Sequence, residues 1–290
     1  RLQICPPKAH APRGAGTHHR TAQVKRKDPP PADTGKKDYR INFGLARGLS
    51  VLRAFGPGNR PIGNSEISAR LNLPKATISR LTFTLTELGY LNHDEETGWY
   101  SLGPAVLTLG YDIMSQMEIR DIARPYMQEL ANYADASVYL GTLSGSELIY
   151  IEACRTPSSM AIRLGVGSRI PLFSTGMGRA FMATIPAKER EALIAKISSD
   201  YVGDWPKVEA DLNRAIDYKN THGFSLSGGD WIAEANSAGA VICRADGYPV
   251  YGINIGGLKS IVSTERLEKD LGPRLVKCAR QIEQFARNIL

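Results

Sequence analysis

Long apolar runs, closely spaced cysteines and clustered metal ligands are all missing from this sequence. No stretch of about 18 apolar residues occurs, so we predict no membrane-spanning helix. The beginning of the chain is polar and lacks the apolar segment of a secretory signal. The four cysteines lie far apart and form neither a Cys-x-x-Cys pair nor a Cys/His group with zinc spacing. We therefore expect a cytoplasmic chain with reduced thiols and with no bound metal or cofactor.

The short signatures of common enzymes are also missing. There is no P-loop and no Gly-x-Ser-x-Gly elbow, and the pairs Gly165-x-Gly167 and Gly176-x-Gly178 lack the third glycine of a dinucleotide fingerprint. His93 and His222 are isolated histidines, and His93 lies in the hairpin at residues 91–100. We therefore predict no catalytic residue and no enzymatic activity.

Net positive charge is almost absent outside the first 38 residues. The formal net charge is +7, but residues 1–38 hold nine basic and three acidic side chains, which leaves the remainder nearly neutral. Their Pro, Gly, Ala and Lys content predicts a disordered basic tail, which either touches phosphates through residues 25–27 or is merely solvated. The high overall charge is therefore weak evidence for nucleic acid binding.

What the chain does have is a compact helix pattern between residues 40 and 103. Apolar spacing predicts a first helix from Leu45 to Phe55. Ser65 is a candidate N-cap for a second helix, Asn72 suits a left-handed turn residue, and Pro74 suits the start of a third helix. A hairpin with its tip at residues 94–98 follows. Two helices, a tight turn and a wing are the layout of a winged helix-turn-helix, whose second helix enters the major groove.

The third helix has a predicted buried face and a predicted exposed face. The apolar positions that cluster at about 100° per residue are Ile78, Leu81, Leu85 and Leu88. The opposite face carries small and hydrogen-bonding residues near the helix start, which suit entry into the groove. We predict DNA contacts from Ser65, Lys75, Ala76, Thr77, Ser79 and Arg80. Phe83 on this face suits either a thymine methyl or protein packing, and the acidic wing tip argues against phosphate contact there.

The remaining residues predict a connecting helix and a mixed domain. Pro104 opens a helix through residue 118 whose apolar residues cover more than one side, which suits either subunit pairing or ordinary packing. Residues 119–290 alternate helices with about six short strands, including Ser137–Leu143, Glu147–Cys154 and Met160–Leu164, before a last helix from Thr264 to Ile289. The predicted class is α+β, with an antiparallel sheet in the second domain.

Several segments carry a resemblance to a known family. They are residues 69–81 (ARLNLPKATISRL) with 88–91 (LGYL), 100–103 (YSLG), 123–130 (ARPYMQEL), 165–172 (GVGSRIPL) and 175–180 (TGMGRA). In this order and spacing, residues 44–290 resemble the IclR family of transcriptional regulators. The resemblance implies a homodimer or a dimer of dimers on partly palindromic double-stranded operator DNA. It also implies a PAS/GAF-like effector-binding domain over residues 119–290 that takes a small organic acid.

The resemblance places the effector site near residues 174–178 and on later strands. The residues that we assign to it are Ser174, Thr175, Gly176, Met177, Asp230, Trp231, Asn236, Asn254 and Gly256. The chain departs from the family pattern at two positions, because Asn236 stands where a cysteine is usual and Asn254 begins a segment that usually contains serine. A different ligand is therefore expected. The alternative function is a small-molecule-binding scaffold whose winged helix contacts other proteins.

The residues themselves support parts of this site. Glycines at 176 and 178 open a predicted helix, where backbone N–H groups and the helix dipole favour a carboxylate. Arg163 or Arg169 adds charge there or lies on the surface, and the two asparagine amides suit a polar substituent. Trp231 and Met177 suit an apolar wall. The plain alternative for each is a turn glycine or a loop asparagine with no ligand.

Overall fold

A computed structural model describes residues 40–55, 60–157, 164–199, 201 and 203–290. The predicted tail at 1–38, Arg163 and all but the last residue of the predicted strand 160–164 lie outside these ranges. Within them, no helix combines the length and the apolar character that a membrane crossing needs.

The N-terminal part is a winged helix-turn-helix. Its helices are α1 (Phe43–Arg53), α2 (Asn64–Leu71) and α3 (Lys75–Glu87), and its strands are β1 (Ile62–Gly63), β2 (Leu91–Asp94) and β3 (Trp99–Leu102). The strands form an antiparallel sheet in the order β1-β3-β2. The turn between α2 and α3 uses Asn72 in the left-handed conformation, with φ 52°, as its side chain type allows. Val51, Ile62, Ile67, Ile78, Leu91 and Tyr100 fill the core.

Two local predictions in this part were wrong. Gly63, not Ser65, occupies the N-cap position of α2, and Ser65 lies exposed in the first turn. Leu88, expected in the core, is exposed at the end of α3, and Thr82 is buried instead. Thr82 can be buried because its hydroxyl bonds the Ile78 carbonyl at 3.0 Å and the Asn64 side chain at 3.2 Å. In α1 the apolar Leu45 is exposed.

Two helices lead into the second part of the chain. The first is α4 (Ala105–Ser115) and the second is α5 (Glu118–Ala134). The predicted connecting helix, which was expected to run through residue 118, therefore ends at Ser115, and α5 begins at Glu118. No residue of α4 is buried, whereas α5 buries a continuous stripe. The helices thus differ sharply in how much of their apolar surface the chain itself covers.

The second part is built on a six-stranded antiparallel sheet in the order β6-β5-β4-β9-β8-β7. The strands are β4 (Ser137–Ser144), β5 (Glu147–Cys154), β6 (Arg169–Pro171), β7 (Ser225–Gly228), β8 (Ala235–Cys243) and β9 (Pro249–Leu258). The helices between β6 and β7 are α6 (Gly176–Thr184), α7 (Ala187–Ser198) and α8 (Trp205–His222). After β9 come α9 (Thr264–Arg266), a π-helical turn (Leu267–Leu271) and α10 (Gly272–Phe285). The predicted α+β class is confirmed.

The sheet has an apolar core on each face. Residues of α5 and α10 pack on one face with side chains such as Val138 and Ile253, and residues of α6 and α8 pack on the other with Tyr139 and Leu148. Strand alternation sends successive side chains of β4 to opposite cores. The sheet is therefore the middle layer of the domain, and the α6 side is where the candidate cavity lies.

Candidate functional site

The exposed surface of α3 begins at its first residue. Lys75, Ala76, Ser79 and Arg80 are exposed, and Thr77 is half-buried. Asn64 of α2 donates a hydrogen bond to the Ser79 hydroxyl at 3.3 Å, which ties this surface to α2. Among the described residues no acidic side chain pairs with Lys75 or Arg80. The surface therefore presents two cations and several small side chains at the start of a projecting helix, and five of the six predicted DNA-contacting residues lie on it.

The wing carries negative charge at its tip. Asp94 accepts a hydrogen bond from the Thr97 hydroxyl at 2.8 Å and another from the Glu96 backbone N–H at 3.0 Å. The bond from the Thr97 side chain holds the pKa of Asp94 below its ordinary value. The tip therefore keeps its carboxylate ionised near neutral pH, which disfavours contact with phosphates.

The surface of α4 is unusually apolar. Leu107 is 74% exposed and Tyr111 is 71% exposed, and Leu109 and Ile113 are also exposed. An apolar surface left open on a whole helix usually marks an interaction site. At its far end, Arg120 donates to the Met114 carbonyl at 3.2 Å and pairs with Glu152 of β5 at 3.1 Å. These contacts join the end of α4 to the sheet of the second domain.

A cavity of about 50 Å³ lies on the α6 side of the sheet. Its walls come from β4, β5, β8 and β9, the segment before α6 and the segment between β7 and β8. No charged side chain is found among the described residues that line it. These are Ser137, Tyr139, Tyr150, Leu164, Ser174, Thr175, Ser227, Trp231, Ile232, Ala235, Asn236, Ser237, Asn254, Gly256 and Gly257. The surroundings are thus neutral, with hydroxyl and amide groups set among aromatic side chains.

Six of the nine predicted effector residues line this cavity. They are Ser174, Thr175, Trp231, Asn236, Asn254 and Gly256. Strand pairing explains part of the grouping, since Asn254 of β9 lies opposite Tyr139 of β4 on one side and opposite Gly239 of β8 on the other. The structure thus brings together residues that are about 80 positions apart in the sequence.

Gly176 and Met177 do not line the cavity, because the first turn of α6 is packed onto the sheet. Met177 is fully buried. A Cβ added at Gly252 would lie 2.4 Å from the Met177 Cγ, and one added at Gly239 would lie 2.2 Å from the Met177 backbone nitrogen. The Gly178 N–H is already capped by the Thr175 hydroxyl at 3.1 Å. These glycines therefore allow close packing, and the N–H groups that the sequence offered to a carboxylate are largely covered.

Asp230 and Arg169 also have structural partners. Asp230 pairs with the buried Arg179 at 2.7 Å. Arg179 also donates to the carbonyls of Phe173 and Leu226, at 2.8 and 2.9 Å. Arg169 pairs with Glu147 at 2.6 Å. Arg179 thus joins the segment before α6 to β7, and Asp230 balances its charge. Neither Asp230 nor Arg169 lines the cavity.

Two side chains on the cavity side of the sheet carry a polar atom without a hydrogen-bond partner among the described residues. They are the Tyr139 hydroxyl and the Oδ1 atom of Asn254. Asn236 lines the cavity at its edge, but its side chain alternates to the other face of β8 and donates to the Val262 carbonyl at 2.9 Å. A buried polar atom without a partner is unfavourable by about 1–3 kcal/mol. A bound molecule that forms hydrogen bonds with Tyr139 and Asn254 would remove this cost.

The two tyrosines of this cavity were not predicted. Tyr139 and Tyr150 stack on each other with ring centroids 4.3 Å apart, and burial raises the pKa of Tyr150 so that its hydroxyl stays protonated. Their positions depend on the pairing of β4 with β5, which shifts register between Leu140 and Gly141. In the sequence only the alternating pattern of β4 and β5 hinted at the faces of these tyrosines, and that pattern does not fix how the two strands pair.

Two family models match this chain, one in each of the two parts described above. The profile described as "Bacterial transcriptional regulator IclR C-terminal" matches residues 111–284, and "IclR helix-turn-helix domain" matches residues 44–95. The HTH-type transcriptional regulator TsaQ1/TsaQ2 of Comamonas testosteroni is 28% identical over 245 residues, covering 84% of this chain and 88% of that protein. The Pca regulon regulatory protein of Pseudomonas putida is 36% identical over 155 residues, covering 53% and 52%.

Two solved structures of transcriptional regulators are similar to this chain over most of its length. A crystal structure of an IclR family transcriptional regulator from Brucella abortus has a TM-score of 0.78 and 36% identity, and the match covers 89% of this chain and 97% of that one. A putative transcriptional regulator from Rhodococcus sp. RHA1 has a TM-score of 0.63 and 29% identity, covering 84% of this chain and 98% of that one.

Proposed function

This chain belongs to the IclR family of bacterial transcriptional regulators, and from that premise we propose that a small organic acid in its cavity changes its affinity for operator DNA. Family membership makes it a DNA-binding regulator with an effector-binding domain and not an enzyme, as the sequence predicted. Our proposal concerns the finer points, namely the contact residues, the ligand class, the assembly and the coupling between the two domains.

The exposed first turns of α3 carry the proposal for DNA. Arg80 projects from the helix with no acidic partner among the described residues, and a guanidinium can bond two acceptors of a guanine edge. Lys75 at the helix start suits a phosphate, and Ser65, Ala76, Thr77 and Ser79 complete the proposed contact set. The acidic wing tip is excluded from this set.

The assembly that we propose is a homodimer or a dimer of dimers, paired through α4. Leucine and tyrosine side chains cover this helix, and the chain buries none of its residues. A second copy of the same helix would remove this surface from water and would fix the spacing of two α3 helices on a palindromic operator. We take residues 40–103 as the DNA-binding domain, 104–118 as the linker and 119–290 as the sensor, acting in the cytoplasm.

The contacts already described can couple the sensor domain to the DNA-binding domain. Tyr150 lines the cavity, and two residues later in β5 Glu152 pairs with Arg120, whose other hydrogen bond reaches the end of α4. An acid that prefers one arrangement of the sensor domains would change the spacing of the paired α3 helices. This proposal for the coupling rests on these contacts and on the family's DNA-binding role.

The test is operator binding by the purified full chain, using DNA from upstream of its own gene as the first probe. Wild-type protein should bind this DNA specifically, and Arg80→Ala should weaken specific binding while Arg280→Ala, the same change at an exposed position of α10, should not. Specific protein partners with no DNA affinity at any salt concentration would instead favour the scaffold function, in which the winged helix contacts proteins.

A further inference from the structure

Phe83 is an exposed aromatic side chain on α3. Its exposed fraction is 66%. At about 100° per residue, the positions of Ala76, Ser79, Arg80 and Phe83 fall within about 100° of one another around the helix axis. All four are exposed, whereas Ile78 on the far side of the helix is buried in the core. Phe83 therefore lies on the surface of α3 that we assign to DNA, one turn beyond Arg80.

The surroundings of Phe83 on this surface are polar. Its neighbours beside it and one turn away are Ser79, Arg80, Thr84 and Glu87, and all of them are exposed. Protein-binding surfaces are usually marked by contiguous apolar patches, as on α4, where several large apolar side chains are exposed together. A single aromatic ring among polar side chains does not form such a patch. The surface around Phe83 therefore suits a partner that is polar except at one point.

A DNA major groove is a partner of this kind. Its base edges carry hydrogen-bonding groups, and the apolar group among them is the 5-methyl group of thymine. Helical side chains lean toward the N-terminus of their helix, so we expect the ring of Phe83 to lean toward Arg80 and away from the acidic Glu87. Along the helix axis Phe83 lies about 4.5 Å beyond Arg80, and base pairs are about 3.4 Å apart. The ring thus reaches within about two base pairs of a guanine bound by Arg80.

We propose that Phe83 contacts the methyl group of a thymine in each operator half-site and so contributes to sequence specificity. This inference rests on the proposed function, in which α3 enters the major groove, and it adds a residue and the base that this residue reads. The methyl group and the ring are removed from water together. Burial of one such group corresponds to about fourfold in affinity.

Replacing thymine by uracil tests the methyl group without changing the base pair. Uracil pairs with adenine as thymine does and lacks only the 5-methyl group. Operator fragments from upstream of the gene, each with one thymine replaced by uracil, are titrated with the full chain by fluorescence anisotropy. In each half-site we expect one position, within about two base pairs of the guanine read by Arg80, where uracil weakens wild-type binding by about fourfold.

Variants of Phe83 assign this effect to the ring. Phe83→Ala should bind the thymine and uracil fragments equally at that position, and Phe83→Leu, which keeps a smaller apolar side chain, should discriminate between them less than the wild type does. Phe285→Ala is the matched control, since Phe285 of α10 is 61% exposed, and it should discriminate as the wild type does. Thermal unfolding shows whether each variant is folded, and Phe83→Leu decides the question if Phe83→Ala is not.

The outcomes separate this inference from the function on which it rests. Operator binding that uracil weakens at no position would overturn the thymine contact and leave DNA binding standing. An undiminished uracil effect in the folded Phe83 variants would assign the methyl contact to another residue. Dissociation of the oligomer by Phe83→Ala in sedimentation velocity would show that the ring packs on a second copy of the chain, and this too would overturn the inference. If the wild-type protein binds no operator DNA, the proposed function is wrong, and the thymine contact falls with it.

Discussion

Replacing Gly239 by alanine should destabilise the effector-binding domain and weaken acid binding. Gly239 lies in β8, directly beneath the first peptide of α6. A Cβ built there would lie 2.2 Å from both the Gly176 carbonyl carbon and the Met177 nitrogen, and 2.3 Å from the Gly176 oxygen. All three are backbone atoms, so no side-chain rotation can relieve the overlap.

The size of the effect follows from these distances. Ordinary contact requires the helix and the strand to separate by about 1 Å, in a core that is close-packed. Met177 prevents a simple tilt, because it is wedged against Gly141 of β4 and Gly252 of β9. Overpacking of this kind typically lowers the free energy of unfolding by about 1–3 kcal/mol, and we expect the upper end. Ser174 and Thr175 would shift with the helix, so the cavity would lose affinity for acids.

Urea unfolding followed by tryptophan fluorescence measures the change. Trp99 lies in the wing, whereas Trp205 and Trp231 lie in the effector-binding domain, so a Trp99→Phe background confines the signal to that domain. The matched control is Gly48→Ala in α1, where a Cβ meets no atom within 4 Å. It should leave this transition unchanged and should stabilise α1 by about 0.5–1 kcal/mol.

A Gly239→Ala protein with unchanged unfolding midpoint and slope would refute this reasoning. The glycines at the start of α6 would then not be required for close packing. Their interpretation as N–H donors for a carboxylate would regain support.

Further predictions concern DNA contacts, assembly and the buried ion pair. Arg80→Ala should weaken specific operator binding by roughly 1–3 kcal/mol in a gel-shift titration, and unchanged affinity and specificity would remove Arg80 from the contact set. Lys75→Ala should weaken binding to all DNA sequences and reduce the slope of log affinity against log salt concentration by about one. Leu107→Glu should dissociate the α4 pairing in sedimentation velocity, because a charge would be buried in the interface, and an unchanged oligomer would place the interface elsewhere. Glu152, 2% exposed, pairs with Arg120 and Arg124, so Glu152→Gln should lower the free energy of unfolding by about 3 kcal/mol; no loss in urea unfolding would show that the pair is not stabilising.

Local chemistry made the winged helix-turn-helix predictable. Asn72 and Pro74 mark the turn by their own backbone preferences, and these depend on nothing outside the segment. The buried face of α3 was harder, because Thr82 is buried through hydrogen bonds to Ile78 and Asn64 that an apolar pattern cannot show. The N-cap was missed for a similar reason, since Gly63 carries no side chain that would signal a cap.

The cavity was predicted only in part, because its residues are assembled by strand register. The asparagines were found through the resemblance, but Tyr139 and Tyr150 depend on a bulge in the β4–β5 pairing. Asp230 was assigned to the ligand through the resemblance, and its ion pair with Arg179 was missed because that partner is about 50 positions away in the sequence. The glycines near residue 176 were correctly placed at a helix start, yet close packing and ligand binding leave the same pattern in a sequence.

Operator binding with and without a bound acid tests the central claim most directly. Fluorescence anisotropy of labelled operator DNA is titrated with the full chain, in the absence and presence of a saturating amount of the tightest acid found by calorimetry. We expect a saturating acid to change the operator affinity of the wild-type protein by about 5-fold or more. At an acid concentration that saturates only the wild type, the operator affinity of Asn254→Leu should not change. Without acid, Asn254→Leu should bind the operator as tightly as the wild type does. An acid that binds the cavity and leaves the operator affinity unchanged would contradict the account.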